Sequence, residues 1–526
     1  MVRGLDFRAR VLKYQHMRQI VRHMIAVAVL LGAARAGIAQ TTPSADSGQI
    51  RRVEDGVVDV PLGDGSPPLR LTLSQLMAAY NVPGFSIAVI RNYQIAWAKG
   101  YGVIATGSQA RVSPTTLFQA ASISKPITAA AALALVEQGT LSLNDDVNRT
   151  LTTWKVPENE FTARQAVTLR ELISHIGGLN VHGFRGYDVD EPRPTLVQIL
   201  NGERPANNPP IRVTFVPGSR ESYSGGGIVI EQLLMMDATG KDFPALMRET
   251  VLDKLEMTQS GYDQPLPAAR AALAATGTNA DGTPVHGGSY IYPEQAPAGL
   301  WTTPTDLAKF AIEIARSRNG QSNTVLSEAM TTTMLTPWPA GGAQCFHMDT
   351  ANPGQFSHNG QNEGFEGLLT MNWQTGNGVV MMANSNNGEF LWDLVLRSVD
   401  RVYGWHYKFG GQPKTLALVA KLRGARAALA RFDALKAAGA PESEVGERDL
   451  NAVGYVLLAN GRAGDAIAVF QRNVEEHPTS ANVYDSLGEA YMKAGQNVLA
   501  IKSYTTSLQL DSTNDNARTM LRKLAK

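Results

Sequence analysis

Phe118-Gln-Ala-Ala-Ser122-Ile-Ser-Lys125-Pro126, followed by the apolar run Ile127-Thr-Ala-Ala-Ala-Ala-Leu-Ala-Leu-Val136, is the stretch on which the reading of this chain turns. Ser122 and Lys125 are three residues apart, so on a helix they share a face about one turn from each other. A serine hydroxyl becomes a useful nucleophile when a neighbouring base takes its proton. Lysine serves as that base only as a neutral amine, a state favoured by burial and by nearby positive charge. The run after Pro126 is apolar on every side, as expected of a helix packed inside a large domain. Proline fits only the first turn, because its ring clashes with the carbonyl four residues back. The helix is therefore expected to begin at or beside Ser122, where its partial positive charge faces a developing anion. Gly139 is the expected stop. A buried helix with one capping serine and one long lysine would give the same local pattern, so the assignment depends on partners elsewhere.

At 526 residues the chain is too long for one ordinary domain. Its formal charge of +1 and its 18% of charged residues give no electrostatic case for nucleic acid. Arginines at 3, 8, 10, 18 and 22 precede the apolar Met24–Ala34, and Gly37-Ile-Ala39 offers a small-x-small cleavage site. Residues 1–39 are expected to be a signal peptide, with translation starting at Met1, Met17 or Met24, and the product to be periplasmic or secreted. A membrane anchor is the alternative, but the apolar core is shorter than the ~20 residues of a span. Any membrane contact is thus expected only through an uncleaved signal. Cys345 is the single cysteine, so no internal disulfide forms.

Residues 40–64, rich in Ser, Pro, Gly and Asp, are expected to be a linker. Thr72-x-x-Gln75 predicts a capped helix, and Phe85–Ile90 with Gln94–Tyr101 predicts a hairpin turning at Arg91-Asn92-Tyr93. Thr168-x-x-Glu171 opens another helix, which Gly177-Gly178 is expected to end. Strands return at Leu368–Trp373 and Val379–Ala383. Leading strands, a helical middle and closing strands imply one sheet completed by both ends of a domain at 65–405, in an α/β or α+β layout. From about 414 the composition turns to Ala, Leu, Lys and Arg. Leu418, Leu422, Ala425, Leu429 and Phe432 form a helical stripe within a helical linker at 406–447. Beyond it, a shift of 34 residues aligns Val453-Gly454 with Leu487-Gly488, Ala466-Ile467 with Ala500-Ile501, and Phe470 with Tyr504. That is the period and pattern of the tetratricopeptide repeat, expected over 448–526 as an all-α region able to bind a protein partner.

A serine–lysine site also needs a proton relay, a substrate anchor and an oxyanion hole. Tyr223-Ser-Gly-Gly-Gly227 lies in a glycine-rich turn before an apolar stretch, so Tyr223 is a candidate relay. Ser357-His-Asn-Gly-Gln361 precedes the closing strands; Gly360 would let substrate lie along a strand edge, with His358 as a donor. His175-Ile-Gly177 and His286-Gly-Gly288 share the weak His-x-Gly pattern, but only His358 stands directly before the terminal strand pair. No metal or nucleotide motif is found, and no cofactor is expected.

Together, Ser122-x-x-Lys125, Tyr223-Ser-x and His358-x-Gly360, in that order, resemble the class C β-lactamase superfamily of penicillin-binding-protein-like serine hydrolases. Leu172–Leu179, Ala298–Leu307 and Asn384–Gly388 agree with it. The resemblance implies an antiparallel sheet with a helical region, and an acyl-enzyme formed on Ser122 with Lys125 and Tyr223 moving the proton. It also implies an oxyanion hole from the backbone N–H groups of Ser122 and Gln361, and a structural helix end for His175. His358 stands where many relatives carry lysine. At the third position of the tyrosine motif, relatives that open β-lactams carry asparagine; here Gly225 offers substrate no side chain. The expected function is an exported hydrolase acting on an ester, a D-amino-acid peptide or a β-lactam-type carbonyl of a small-molecule or peptide substrate. The alternative is a catalytically weak penicillin-binding-like module whose repeats bind protein.

Overall fold

The computed structural model describes residues 47–339, 342–412 and 414–525. The expected signal peptide lies outside them. Among the described residues no helix is long and apolar enough to cross a membrane.

The chain's first and last β-segments meet in one antiparallel sheet. Its strands are β1 (Gly84–Arg91), β2 (Gln94–Gly102), β3 (His347–Met348), β4 (Gln355–Asn362), β5 (Phe365–Asn372) and β6 (Asn377–Ala383), in the order β2-β1-β6-β5-β4-β3. The β1–β2 hairpin turns on Asn92 and Tyr93, both left-handed (φ 50° and 61°), which suits the twist of a two-residue hairpin. β6 pairs with β1, placing Met381 opposite Ile87 and so joining residues almost 300 positions apart. Sequence patterning found β1, β2, β5 and β6 but neither β4 nor the short edge strand β3. The stretch bearing His358 and Gly360 was expected to precede the closing strands; it is itself a strand, joined to β5 by the two-residue turn Glu363-Gly364. Its Gln, Ser, His, Asn and Gly residues hide the period-two pattern that marks a strand.

Two layers cover the sheet. On one face, Ala88, Ile90, Leu369, Met371 and Val380 join a core with helices α2 (Ser124–Glu137), α3 (Gly225–Thr239) and α4 (Pro304–Arg318). The alternate residues Ile87, Val89, Val379 and Met381 face the other way and are just as buried. They lie under α5 (Glu389–Tyr403), which in turn holds the N-terminal helix α1 (Ser47–Asp55). Burial on both faces explains why these strands read as continuous apolar runs.

That outer layer corrects the expected linker at 40–64. From Ser47 the chain is folded: α1 is amphipathic, and Val58–Val60 pairs with Leu69–Leu71. Ser398 Oγ donates to Val53 O at 2.9 Å, and Tyr101 and Lys99 both reach the Glu54 carboxylate. The Ser, Gly and Asp content reflects the turn at 63–66, not a flexible tether.

Past α5 the chain is helical. The expected single stripe is two helices, α6 (Leu416–Arg423) and α7 (Ala425–Ala437), broken at Gly424 (φ 92°). Two helical pairs follow, α8 (Glu447–Ala459) with α9 (Ala463–Glu476) and α10 (Ala481–Lys493) with α11 (Asn497–Leu510), closed by α12 (Asp515–Leu524). A Cβ on Gly454 would lie 2.4 Å from the Phe470 ring, and one on Gly488 would lie 3.0 Å from Tyr504. The glycine and aromatic of each pair thus sit in close contact, as the spacing in the sequence predicts. α6 packs on α8 and α7 on α9, so the segment expected as a linker is part of the helical stack.

Shortening the chain to begin at residue 66 removes Val53, Val57, Val58, Val60 and Leu62, each at most 4% exposed. At roughly 1.5–3 kcal/mol for each buried aliphatic side chain, stability measured by urea unfolding should fall by at least about 3 kcal/mol. A linker in that region would leave the midpoint unchanged.

Candidate active site

Ser122 sits in a 3₁₀ turn, Ala121–Ile123, that runs directly into α2. Pro126 is in the first turn and Gly139 (φ 74°) follows the end, as the sequence requires. Ala121 is left-handed (φ 49°), a conformation costing a non-glycine residue about 1–2 kcal/mol. A short network holds it there. Ser124 Oγ donates to Ala121 O at 2.6 Å and accepts from the Leu300 N–H at 3.1 Å, while the Ala120 N–H donates to Leu300 O. Ser124 is fully buried and committed to this role, which leaves Ser122 as the hydroxyl in the cleft.

Lys125, 2% exposed, donates from Nζ to Ser122 Oγ at 2.8 Å and to Pro297 O at 2.9 Å. Its Nζ also stands 5.0 Å from the centroid of the Tyr223 ring. Ser224 caps α3 by accepting from the Gly227 N–H, and this fixes the turn that projects Tyr223, 38% exposed, into the cleft. Strand β4 closes the other side. A Cβ on Gly360 would lie 2.2 Å from Ala120 O and 3.0 Å from Ser122 N. Only a residue without a side chain lets the strand approach the nucleophile this closely.

The hairpin register sets what that strand offers. Asn362 and Phe365 close a two-residue turn as a hydrogen-bonded pair, so by alternation the Gln361 N–H faces away from β5. The Asp349 N–H donating to Gln355 O confirms that odd-numbered β4 residues face that edge. The backbone N–H groups of Ser122 and Gln361 thus border one gap, as expected of an oxyanion hole.

The histidines differ from expectation. His358, inward on β4, has its Nδ1 against the Asn359 carbonyl, so Nδ1 carries the proton and Nε2 remains an acceptor. It was expected to be a donor. Burial, and then the charge of Lys125, push its pKa down to about 3, so it is neutral near pH 7. His175 lies, as expected, at a helix end, just past Leu169–Ile173, and it does more. It is left-handed (φ 57°), its ring lies 4.4 Å from that of Tyr223, and its Nδ1 accepts from the Ser224 N–H. Burial first, and then Lys125, hold it well below the ordinary histidine range. His175 thus buttresses Tyr223; its His-x-Gly pattern was visible in the sequence, but nothing there linked it to residue 223. Glu231 on α3, also unforeseen, is fully buried without a partner, and burial raises its carboxyl well above the usual range.

Gly225 does not line the cleft. It opens α3 with its N–H on His182 O, and a Cβ there would lie 3.1 Å from both that oxygen and the Phe184 ring. It lacks positive φ, so packing and not backbone conformation limits what fits. The cleft itself has a volume of about 850 Å³ and is lined by Ser122, His175, Tyr223, His358 and Gln361, among others.

The family model for Beta-lactamase matches residues 69–400. The chain belongs to the beta-lactamase family. Most members of this family are serine hydrolases. Among curated proteins, "Protein flp" of Staphylococcus aureus (strain MRSA252) is 25% identical over 35% of this chain and 36% of its own length. A "Beta-lactamase" of Pseudomonas fluorescens is 26% identical over 45% of this chain and 62% of its own. The chain therefore spans about a third of the first relative and less than two thirds of the second. Among solved structures, the octameric penicillin-binding protein homologue from Pyrococcus abyssi superposes with TM-score 0.53 and 22% identity, covering 63% of this chain and 76% of that one. EstCE1, "a hydrolase with promiscuous acyltransferase activity", gives 0.54 and 18% identity, covering 68% and 99%. These likenesses establish the beta-lactamase-like fold, an antiparallel sheet with a helical layer, here followed by a helical C-terminal region.

Gly360→Ala should push β4 off the Ser122 turn. A displacement near 1 Å costs on the order of 10²-fold in rate, so labelling by a fluorophosphonate should slow by about that factor while the protein remains folded. Ordinary labelling in this variant would mean that the strand does not position the nucleophile.

His358 contributes to pH dependence with a definite sign. Its folded pKa lies below its unfolded value of ~6.5, so the unfolded state binds the extra proton and stability falls as pH drops from about 6.5 toward 3. The slope for one such group is at most about 1.4 kcal/mol per pH unit. His358→Gln should lack this contribution: the difference in unfolding free energy between wild type and variant should shrink between pH 7 and pH 5. Comparing the two proteins cancels the opposing titration of buried Glu231 and Glu294. A difference independent of pH would place His358 in an unburied setting.

Proposed function

We propose that the protein is an exported serine esterase that forms an acyl-enzyme on Ser122. Ser122 Oγ attacks the ester carbonyl and its proton passes to the neutral amine of Lys125, whose Nζ lies 2.8 Å away. Tyr223, beside that amine, relays the proton to the departing alcohol. The N–H groups of Ser122 and Gln361 bind the oxyanion, a contribution worth about 10²–10³ in rate for each donor. Water then releases the acyl group by the reverse proton path. His358 offers Nε2 as an acceptor to a substrate donor, and Gly360 keeps the strand edge open beside the scissile bond.

One observation favours an ester over the other acyl donors. Among the described residues lining the cleft there is no lysine or arginine, Glu221 stands at its wall, and burial keeps His175 and His358 neutral, while a third histidine, His347, lies exposed on β3. Lys125 lies behind Ser122 with two partners already. A β-lactam or a D-peptide ending in a carboxylate would bring its negative charge into a cleft whose described wall holds no lysine or arginine to receive it. An uncharged ester meets no such cost.

We further assign the helices after 446 to tetratricopeptide repeats that present a protein-binding surface. The matched glycine–aromatic contacts of the two helical pairs support this. The basic and apolar leader supports export to the periplasm or medium.

Purified protein should hydrolyse p-nitrophenyl butyrate at least about ten times faster, by kcat/KM, than nitrocefin or a D-alanyl-D-alanine peptide. Ser122→Ala should abolish both turnover and fluorophosphonate labelling with an unchanged melting temperature. Faster cleavage of the carboxylate-bearing substrates would overturn the ester reading. Labelling that persisted at Ser124 would overturn the nucleophile.

A further inference from the structure

The cleft does not end at the catalytic residues. Three of its lining residues, His347 on β3, Leu368 on β5 and Trp392 on α5, also line a second chamber of about 770 Å³. Strand alternation explains the route. His358 and Gly360 face Ser122, whereas Leu368, paired with Asn359 in the register, projects from the opposite face of the sheet toward α5. β3 covers β4 only at Phe356 and Ser357, so the edge at Asn359–Gln361 is open and the cleft passes round it.

The chamber combines aromatic side chains with charged ones. Phe390, Trp392, Tyr407 and Phe409 contribute to its wall. Phe390 is 47% exposed and stacks on Tyr80 at 4.8 Å, an unusually open position for a phenylalanine in a folded domain. Two of its charged groups are held in place: Arg397 pairs with Asp393 at 2.9 Å and lies over the Phe409 ring, and Asp349 accepts from Tyr407 at 2.8 Å, while exposed Glu389, Lys408 and Lys414 also line the chamber. Ser443 and Glu444, from the helical C-terminal region, close the far end. The volume falls within the range of small-molecule sites.

We propose that this second chamber binds the apolar acyl arm of the ester, making the enzyme selective for medium-chain acyl groups. The inference rests on the ester reading given above. The acyl arm is the fitting occupant because it remains attached to Ser122 through both half-reactions, whereas the alcohol departs after the first. Binding energy gained along the arm is therefore available to acylation and to deacylation alike. A two-carbon acyl group is confined to the first chamber; a chain of medium length passes Leu368 and reaches the aromatic wall.

The test is a series of p-nitrophenyl esters from acetate to decanoate, each assayed below its micellar concentration. Every methylene that leaves water for an apolar wall should raise kcat/KM by about three- to fourfold, so octanoate should exceed acetate by at least about 100-fold. In Phe390→Ser the octanoate-to-acetate ratio should fall by about tenfold, and Phe409→Ala should lower it in the same direction. Melting curves identify a variant that has merely unfolded, and the two positions lie on separate segments. A flat chain-length profile in the wild type would overturn the proposal. So would variants that slow acetate and octanoate equally, or a longer alcohol in alkyl acetates giving the same gain as a longer acyl chain. Absence of turnover for every ester, acetate included, would instead overturn the ester reading on which the chamber depends.

Discussion

The contact between strand β4 at Gly360 and the turn Ala120–Ser122 is the constraint on which the rest of the site depends. With no room for a single carbon between Gly360 and Ala120 O, sheet and helical layer meet at main-chain distance. That approach brings the N–H groups of Ser122 and Gln361 to one gap. It also requires Ala121 to adopt a left-handed conformation, held by Ser124 and by the Leu300 backbone. The strain stored beside the nucleophile is thus balanced by packing from three separate segments, and none of these can shift alone.

Around that contact lies a buried polar arrangement with Lys125 at its centre. Lys125 touches Ser122 and Pro297, and burial first, then the neighbouring Lys125, keeps both His175 and His358 unprotonated. Two neutral rings flank Tyr223, one 4.4 Å and the other 6.3 Å from its centroid. The tautomers follow from the backbone: His175 Nδ1 receives an N–H, while His358 Nδ1 faces a carbonyl. The same burial that makes the histidines poor anchors for an anion makes the cleft suited to an uncharged substrate.

The helical C-terminal region and the N-terminal helix extend this core rather than hang from it. α1 packs on α5, and α5 supplies walls to both chambers. Residues at 443 and 444 then close the second chamber, so the region after 405 contributes to the shape of the space beside the sheet.

What the sequence determined by itself was local and covalent in origin. Ser122-x-x-Lys125 with Pro126 specified a helix start with a nucleophile and base on one face, because helical periodicity and proline sterics act within one turn. The capping boxes at Thr72 and Thr168, the β1–β2 hairpin and the 34-residue helical spacing were legible for the same reason. Tyr223, His358 and Gly360 were found from motif order, and the structure brings all of them to Ser122. Only the tertiary structure decided the rest. It showed that 47–64 is folded, that β4 is a strand despite its polar residues, and that Gly225 faces Phe184 instead of the cleft. It also made His175 a buttress of Tyr223 and His358 an acceptor. Each of these depends on which distant segment lies opposite. A side chain's burial, tautomer and free edge are set by partners tens to hundreds of residues away, and the spacing of neighbours along the chain does not encode them.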